Sequence, residues 1–431
     1  MTPRGFVYFS IMAILLLLVG FGQSWNVALG ILNLCLISAV MALGVNIQWG
    51  YAGLFNVGIM GFAALGGLTA MLVSMPPVTE AWAAGGRGLG MALISLLITI
   101  AAVLLIRRYT RATVRFWATV VALILGFLLI RSQLDPSIER IEAVNPAHTG
   151  YLGGMGIPIL FSWMLGGVVA AGAAWLIGKI ALGLRADYLA IATLGISEII
   201  IAVIKYEEWL TRGVKNVTGL PRPVPYEVDL IEMPWVASIA DLFGGDVSGA
   251  ASVIVKLCYA ALFLIVLGLL MWLSERALKS PWGRMMRAIR DNRDAASAMG
   301  KDVTARHLQV FVLGCAVCGI AGAMLATLDG QLTPSGYIPL RYTFLIWVMV
   351  IIGGSGNNWG AVLGGFVIWF LWIEAEPLGN WLMQIITFGM PDGSWLKDHL
   401  IASAAYMRLI MMGGILLLVM RFSPRGLIPE R

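Results

Sequence analysis

Apolar runs long enough to cross a lipid bilayer recur along this chain, separated by short and mostly basic polar segments. That alternation limits the fold more than any single motif. A bilayer core of ~30 Å takes about 20 apolar residues in a helix. Runs that meet or approach this length lie at 6–22, 27–48, 52–74, 89–106, 114–131, 157–178, 188–204, 251–273, 308–328, 340–354, 358–374 and 402–422. Hydrophobic residues make up 59% of the chain and charged residues 12%, against about 25% charged in a soluble domain. Such a chain cannot hide its apolar surface in one aqueous core. The sequence predicts an all-α, polytopic integral membrane protein of ten to twelve transmembrane helices, with residues 1–431 as one membrane domain. The run at 340–354 is short enough to be re-entrant, and 114–131 could lie flat. The first run follows a segment holding only Arg4 and is not followed by a small-residue cleavage site, so it reads as a retained span.

Charge orients the spans, because basic loops stay cytoplasmic. With the N-terminus inside, Arg107, Arg108, Arg111, Arg115, Lys179 and Arg185 fall on the cytoplasmic side, as does the tail with Arg421, Arg425 and Arg431. So does segment 274–307, with eight Lys/Arg against four Asp/Glu. The largest loop on the other side, 205–250, carries four Lys/Arg and seven Asp/Glu. Twelve passes put both termini in the cytoplasm. The net charge of +6 is topological and points to no nucleic-acid partner. Residues 107–150 read as an added helix and loop.

Several chemistries are unsupported. No G-x-x-x-x-G-K-[ST] phosphate cradle occurs, so the chain is not expected to hydrolyse ATP or act as an enzyme. His148, His307 and His399 lack metal-ligand spacing, and no metal or cofactor is expected. Cys315 and Cys318 sit in an apolar helix where Gly314, Cys318, Gly322 and Ala326 recur every four residues. This reads as a smooth packing face rather than a redox motif. The turn Gly353–Gly360 does not match G-x-G-x-x-G and reads as a tight connection, with Gly356, Gly360 and Gly364 allowing close helix approach.

Polar residues inside spans are costly and usually face a partner or a pathway. Glu198 lies in mid-span; Asn33, Asn46, Gln48, Tyr51 and Asn56 cluster around the second and third runs. Asn46, Gln48, Asn56 and Glu198 are the candidate pathway residues, each with a packing role as the alternative. Arg408, near the start of the last run, reads as snorkelling to the interface.

Five blocks in order resemble the permease subunits of branched-chain amino acid ABC importers, of the LivM-like kind. They are Gly50-Tyr-Ala-Gly-Leu-Phe-Asn-Val-Gly58, Leu184–Ile199, Ser280-Pro-Trp-Gly-Arg284 through Gly300, Val350–Gly360, and Arg421-Phe-Ser-Pro-Arg-Gly-Leu427. In the third, Asp294-Ala295-Ala296 followed by Gly300 resembles the acidic-Ala-Ala-x-x-x-Gly loop by which such permeases dock on their ATPases. The resemblance implies an ABC-importer permease architecture in a prokaryotic cytoplasmic (inner) membrane, with 205–250 periplasmic and 274–307 a cytoplasmic loop holding a coupling helix. It implies a homologous second permease, two ATP-binding cassette subunits and a periplasmic substrate-binding protein, with membrane lipid around them. Arg284, Arg287, Arg290, Asp294, Ala295, Ala296 and Gly300 would form the ATPase-coupling loop. In that loop the two alanines would seat in a groove, and Gly300 would turn the chain with φ > 0. The chain departs from the family in having Asp294 where Glu is common, Trp359 before Gly360 with no following Pro, and the longer 107–150 insertion. Urea and short-amide importers share the architecture. A stand-alone secondary transporter or channel is the rival reading; it predicts more ionisable residues within spans.

Overall fold

The computed structural model describes residues 3–146, 149–243, 246–391 and 394–430; His148 and Arg431 lie outside them. Helices α1 (Pro3–Gly22), α2 (Trp25–Val45), α3 (Ile59–Ser74), α4 (Thr79–Tyr109), α5 (Ala112–Ala143), α6 (Ile159–Ala181) and α7 (Ala186–Tyr206) come first. Three short helices follow, α8 (Glu208–Thr211), α9 (Glu227–Ile231) and α10 (Pro234–Phe243). Then come α11 (Val247–Lys279), α12 (Pro281–Asp291), α13 (Arg293–Ala298), α14 (Val303–Asp329) and α15 (Pro339–Gly353). The chain closes with α16 (Asn358–Ile386), α17 (Trp395–Ala402) and α18 (Met407–Phe422). Among the described residues the only sheet is a two-residue antiparallel pair, β1 (Val217–Thr218) with β2 (Gln331–Leu332), Val217 facing Leu332.

Nine helices among the described residues are long and apolar enough to cross a membrane: α1, α2 with the turn after it, α4, α5, α6, α7, α11, α14 and α16. The other three predicted runs are helical but not simple spans. α3 and α15 are short, and the last run is broken, α17 and α18 meeting at a 59° bend. Segment 107–150 is the added helix and loop its sequence suggests, but the helix outruns its apolar stretch: α5 continues through Pro136 to Ala143. It does so because α4 offers it a close seat: Cβ atoms at Gly85 or Gly88 would collide with Ile141 or Ser137, and one at Gly126 with Thr99. Segment 205–250 is folded rather than open, through α8 to α10 and β1.

The core forms around α2 and α14. Their spans are 78% and 72% buried, against 17% and 6% for α4 and α5. Small residues bring the backbones together. A Cβ at Gly322 would stand 1.9 Å from the Ala63 carbonyl oxygen, and one at Gly44 would stand 2.8 Å from Cys318 Sγ. The four-residue repeat on α14 thus forms the packing face its spacing predicts, and Cys315 and Cys318 are buried, free thiols. Outward faces of α4, α5, α6 and α11 carry exposed Leu, Ile, Phe and Trp, as a lipid-facing surface requires.

Candidate functional site

The five sequence blocks converge on one place, the break after α2. There the helix widens into a π-helical turn, Asn46–Gly50, and after Ala52 the chain runs without helix until α3 begins at Ile59. A broken helix in a membrane leaves backbone groups that need partners. Side chains at the break and on the elements packed around it supply them and tie the break in place. Asn46 Oδ1 accepts from the Gly356 N–H at 2.9 Å. Asn46 Nδ2 donates to Asn358 Oδ1 at 3.1 Å and to the Tyr51 hydroxyl at 3.3 Å. Tyr51 donates to the same Asn358 oxygen at 2.5 Å, and Asn358 Nδ2 donates to Glu275 at 3.2 Å. On the other side Asn56 Nδ2 donates to Gln48 Oε1 at 2.9 Å, and Gln48 Nε2 to the Phe311 carbonyl at 3.3 Å. The Trp347 indole donates to the Asn56 carbonyl at 3.0 Å.

The structure therefore places Asn46, Gln48 and Asn56 in a buried network, each no more than 1% exposed. They stitch the break to α14, α15 and the 353–358 turn. The second block docks here too: Thr193 Oγ1 accepts from the Val57 N–H at 3.0 Å, and Gly58 and Gly61 let the backbone lie against Thr193 and Ser197. The turn into α16 is capped by Asn357, whose side chain accepts from the N–H groups of Trp359 and Gly360.

The third block is the link to the end of the bundle. α12 buries Gly283, Met286 and Ile289, and Arg284, Arg287 and Arg290 line one open depression with Asp291 and Glu430. Arg290 turns inward. It donates through Nη1 to the Gly50 carbonyl at the end of the π turn and pairs with Glu430 at 2.8 Å. Burial opposes its charge, but the bonds and charges of Glu430 and then Asp291 outweigh that and hold its pKa above the ordinary value. The tail that carries Glu430 is itself tied down: Leu427 N–H donates to Ile352 O at 2.8 Å, and Ile428 N–H to Gly353 O at 2.9 Å. Sequence reasoning missed this clamp, although Arg290, the glycine turn and the tail all lay in the quoted blocks.

α13 is a separate six-residue helix capped by Asn292, whose side chain accepts from the Ala295 N–H at 2.9 Å. Asp294 lies in its first turn, and Gly300 leaves the helix at φ 75°, the turn the spacing predicts. Asp294 and Ala295 are exposed, but Ala296 packs inward on the chain's own core. The two alanines therefore face different ways, because consecutive helical residues do not share a face.

Glu198 points away from the core. Leu189, Ala190, Thr193, Ser197, Ile201 and Ile204 form the buried side of α7. Glu198 is exposed on the other side beside Ile191, Gly195 and Ile199, and no ion pair reaches it among the described residues. Arg408 has partners that its sequence position does not show. It pairs with Glu376 at 2.8 Å and lies 5.0 Å from the Trp372 ring, a better arrangement than a lone charge in lipid. Sequence reasoning also passed over Glu374. It is 5% exposed, and its Oε2 accepts from Gln23 at 2.8 Å; it was hidden at the edge of an apolar run.

Residues 118–420 match the protein family described as branched-chain amino acid transport system / permease component. The chain belongs to that family. This permease is 28% identical over 269 residues to the high-affinity branched-chain amino acid transport system permease protein LivM of Salmonella typhimurium, covering 62% of this chain and 56% of the relative. It is 25% identical over 298 residues to the probable LivM of Methanocaldococcus jannaschii, covering 68% and 73%. The LivH permease protein of Escherichia coli is 26% identical over 159 residues, covering 37% and 46%. The permease thus spans little more than half the length of the Salmonella LivM. No solved structure matches it.

Proposed function

We propose that this permease is a transmembrane subunit of an ATP-driven ABC importer for branched-chain amino acids. In this reading it works with a second, homologous permease, two ATP-binding cassette subunits and a periplasmic substrate-binding protein. Residues 205–250 face the periplasm and receive the binding protein; 274–307 and both termini face the cytoplasm. The observation that carries the reading is the Arg290 clamp. A surface helix pair is wired directly to a break in the most buried span, as a part that transmits force from outside the membrane must be. Arg284, Arg287, Asp294 and Ala295 present the outer face to the ATPase, while Arg290, Ala296 and Gly300 fix the helix pair to the bundle. An unpaired carboxylate at Glu198 on an outward face is costly in lipid. Facing the second permease or a hydrated pathway between the two relieves that cost.

Co-expression with candidate ATPase, second-permease and binding-protein subunits tests the reading. The tagged chain should retain the ATPase and second permease through purification, and reconstituted vesicles should take up leucine only with ATP. Gly300→Val, which forces a β-branched residue to φ 75°, should lower uptake at least tenfold while ATP hydrolysis continues. A single cysteine at Ser248 should react with an impermeant reagent in whole cells and one at Ser280 should not. Uptake by the permease alone would establish the stand-alone transporter instead, and uptake of urea in place of leucine would move the substrate to the short amides.

A further inference from the structure

A cavity of about 340 Å³ opens beside α2, between α14, α15 and the segment after β2. This is within the ~300–1,000 Å³ range of small-molecule sites. Its floor is apolar: Met41, Met60 and Met349 contribute adaptable thioether side chains. Its rim is polar and unsatisfied. Thr333 Oγ1 and Trp369 Nε1 are buried atoms with no hydrogen-bond partner among the described residues. Such groups are destabilising when left unpaired. Tyr337 is 7% exposed, and its hydroxyl makes no hydrogen bond there either. Burial and then the nearby Asp329 charge push its phenol up, so it stays a neutral donor. Asp329, the last residue of α14, lines the same cavity and is exposed. It has no ion pair among the described residues, and no Lys, Arg or His lines the cavity.

One carboxylate, three unpartnered O–H or N–H groups and an apolar floor form a defined chemical pattern. A lipid tail would leave the rim unpaired. Among the described residues no group of three or more His, Cys, Asp or Glu that could hold a metal ion occurs here or elsewhere. We infer that this cavity binds a free, zwitterionic amino acid with an apolar side chain. Its ammonium lies on Asp329, its carboxylate takes hydrogen bonds from the Thr333, Tyr337 and Trp369 donors, and its side chain lies on the three methionines. The site deepens the importer reading and rests on it. β2, adjoining the cavity, pairs with β1 of the 205–250 segment, which puts the mouth on the side where a binding protein would release its cargo. Met41 stands five residues before the π turn held by Arg290, so one helix touches both the ligand and the coupling clamp.

The test uses the assembled complex of both permeases and the ATPases, purified without the binding protein, and radiolabelled leucine. Leucine should bind. The 2-hydroxy analogue 2-hydroxy-4-methylpentanoate, which lacks the ammonium, should fail to compete. Asp329→Asn should weaken leucine binding and uptake at least tenfold with the ATPases still bound. Trp369→Phe, which removes one donor and keeps the ring, should weaken binding several-fold, and it decides the matter if Asp329→Asn does not assemble. Parental leucine binding in the Asn variant (in the Phe variant if that one fails to assemble), or equal competition by the hydroxy acid, would overturn the site while leaving the importer reading intact. A parental complex that carries no branched-chain amino acid at all would remove both.

Discussion

α2 and α5 are both helices long and apolar enough to cross a membrane. In the fold they are opposites. The α2 span is 78% buried and that of α5 only 6%. The difference lies in where small and polar residues sit. α2 and the π turn that continues it carry Asn33, Ser38, Asn46 and Gln48, all buried, and Gly44 in backbone contact with α14, so neighbours close on the span from several sides. α5 meets α4 on one side, while Phe116, Trp117, Leu125 and Leu128 are more than half exposed. In lipid, apolar side chains gain little from leaving the solvent, so packing and hydrogen bonding decide which helix is central. Hydropathy finds the spans; the distribution of Gly, Ser and Asn sorts core from rim.

That contrast can be broken most directly with a single methyl-bearing carbon. Gly322→Val places side-chain atoms on the Ala63 carbonyl and should cost about 3 kcal/mol or more, seen as loss of monodisperse protein in size-exclusion chromatography. Gly90→Val on α4, where nothing lies within 4 Å, should behave as the parent. Equal behaviour of the two would end the distinction. Asn358→Leu strips the break of two accepted bonds and one donated bond. Leaving buried partners unpaired should lower stability by about 2–3 kcal/mol, measured by thermal denaturation in detergent. A smaller effect is expected at the clamp. Glu430→Gln removes the charge opposite Arg290 at a site about a quarter exposed, and should cost about 0.5–1 kcal/mol, a loss that shrinks as salt rises. The smallest is Leu125→Ala on the outer face of α5, 61% exposed: a change within about 0.5 kcal/mol. A larger loss there would mean that α5 has a protein neighbour rather than lipid.

Much of this was legible in the residues. Run lengths gave the helical spans, and the four-residue repeat on α14 gave its packing face. Gly300 was placed at a positive φ, and the five blocks marked the parts that matter. Other features were not legible. Ala296 and Ala295 look equivalent in the sequence but face opposite ways. Arg408 reads as a snorkelling charge until Glu376, 32 residues away, is seen beside it. Glu374 sits at the ragged end of an apolar run where a span boundary would excuse it. The apolar run at 114–131 does not show how far its helix continues; the seat on α4 carries α5 through Pro136 to Ala143.

By itself the sequence determined the membrane solvent, the helical class, the charge asymmetry and the family. Each follows from local composition or from short ordered motifs, which need no knowledge of distant neighbours. Tertiary structure alone decided that the five motifs meet at one broken helix, and that Arg290 joins the π turn to a tail 140 residues on. It also decided that Asp329, Thr333, Tyr337 and Trp369 share a cavity. Those are contacts between residues far apart in the chain. In lipid they are chosen by how closely backbones can approach and by which buried polar groups find partners, and neither quantity is a property of any one segment.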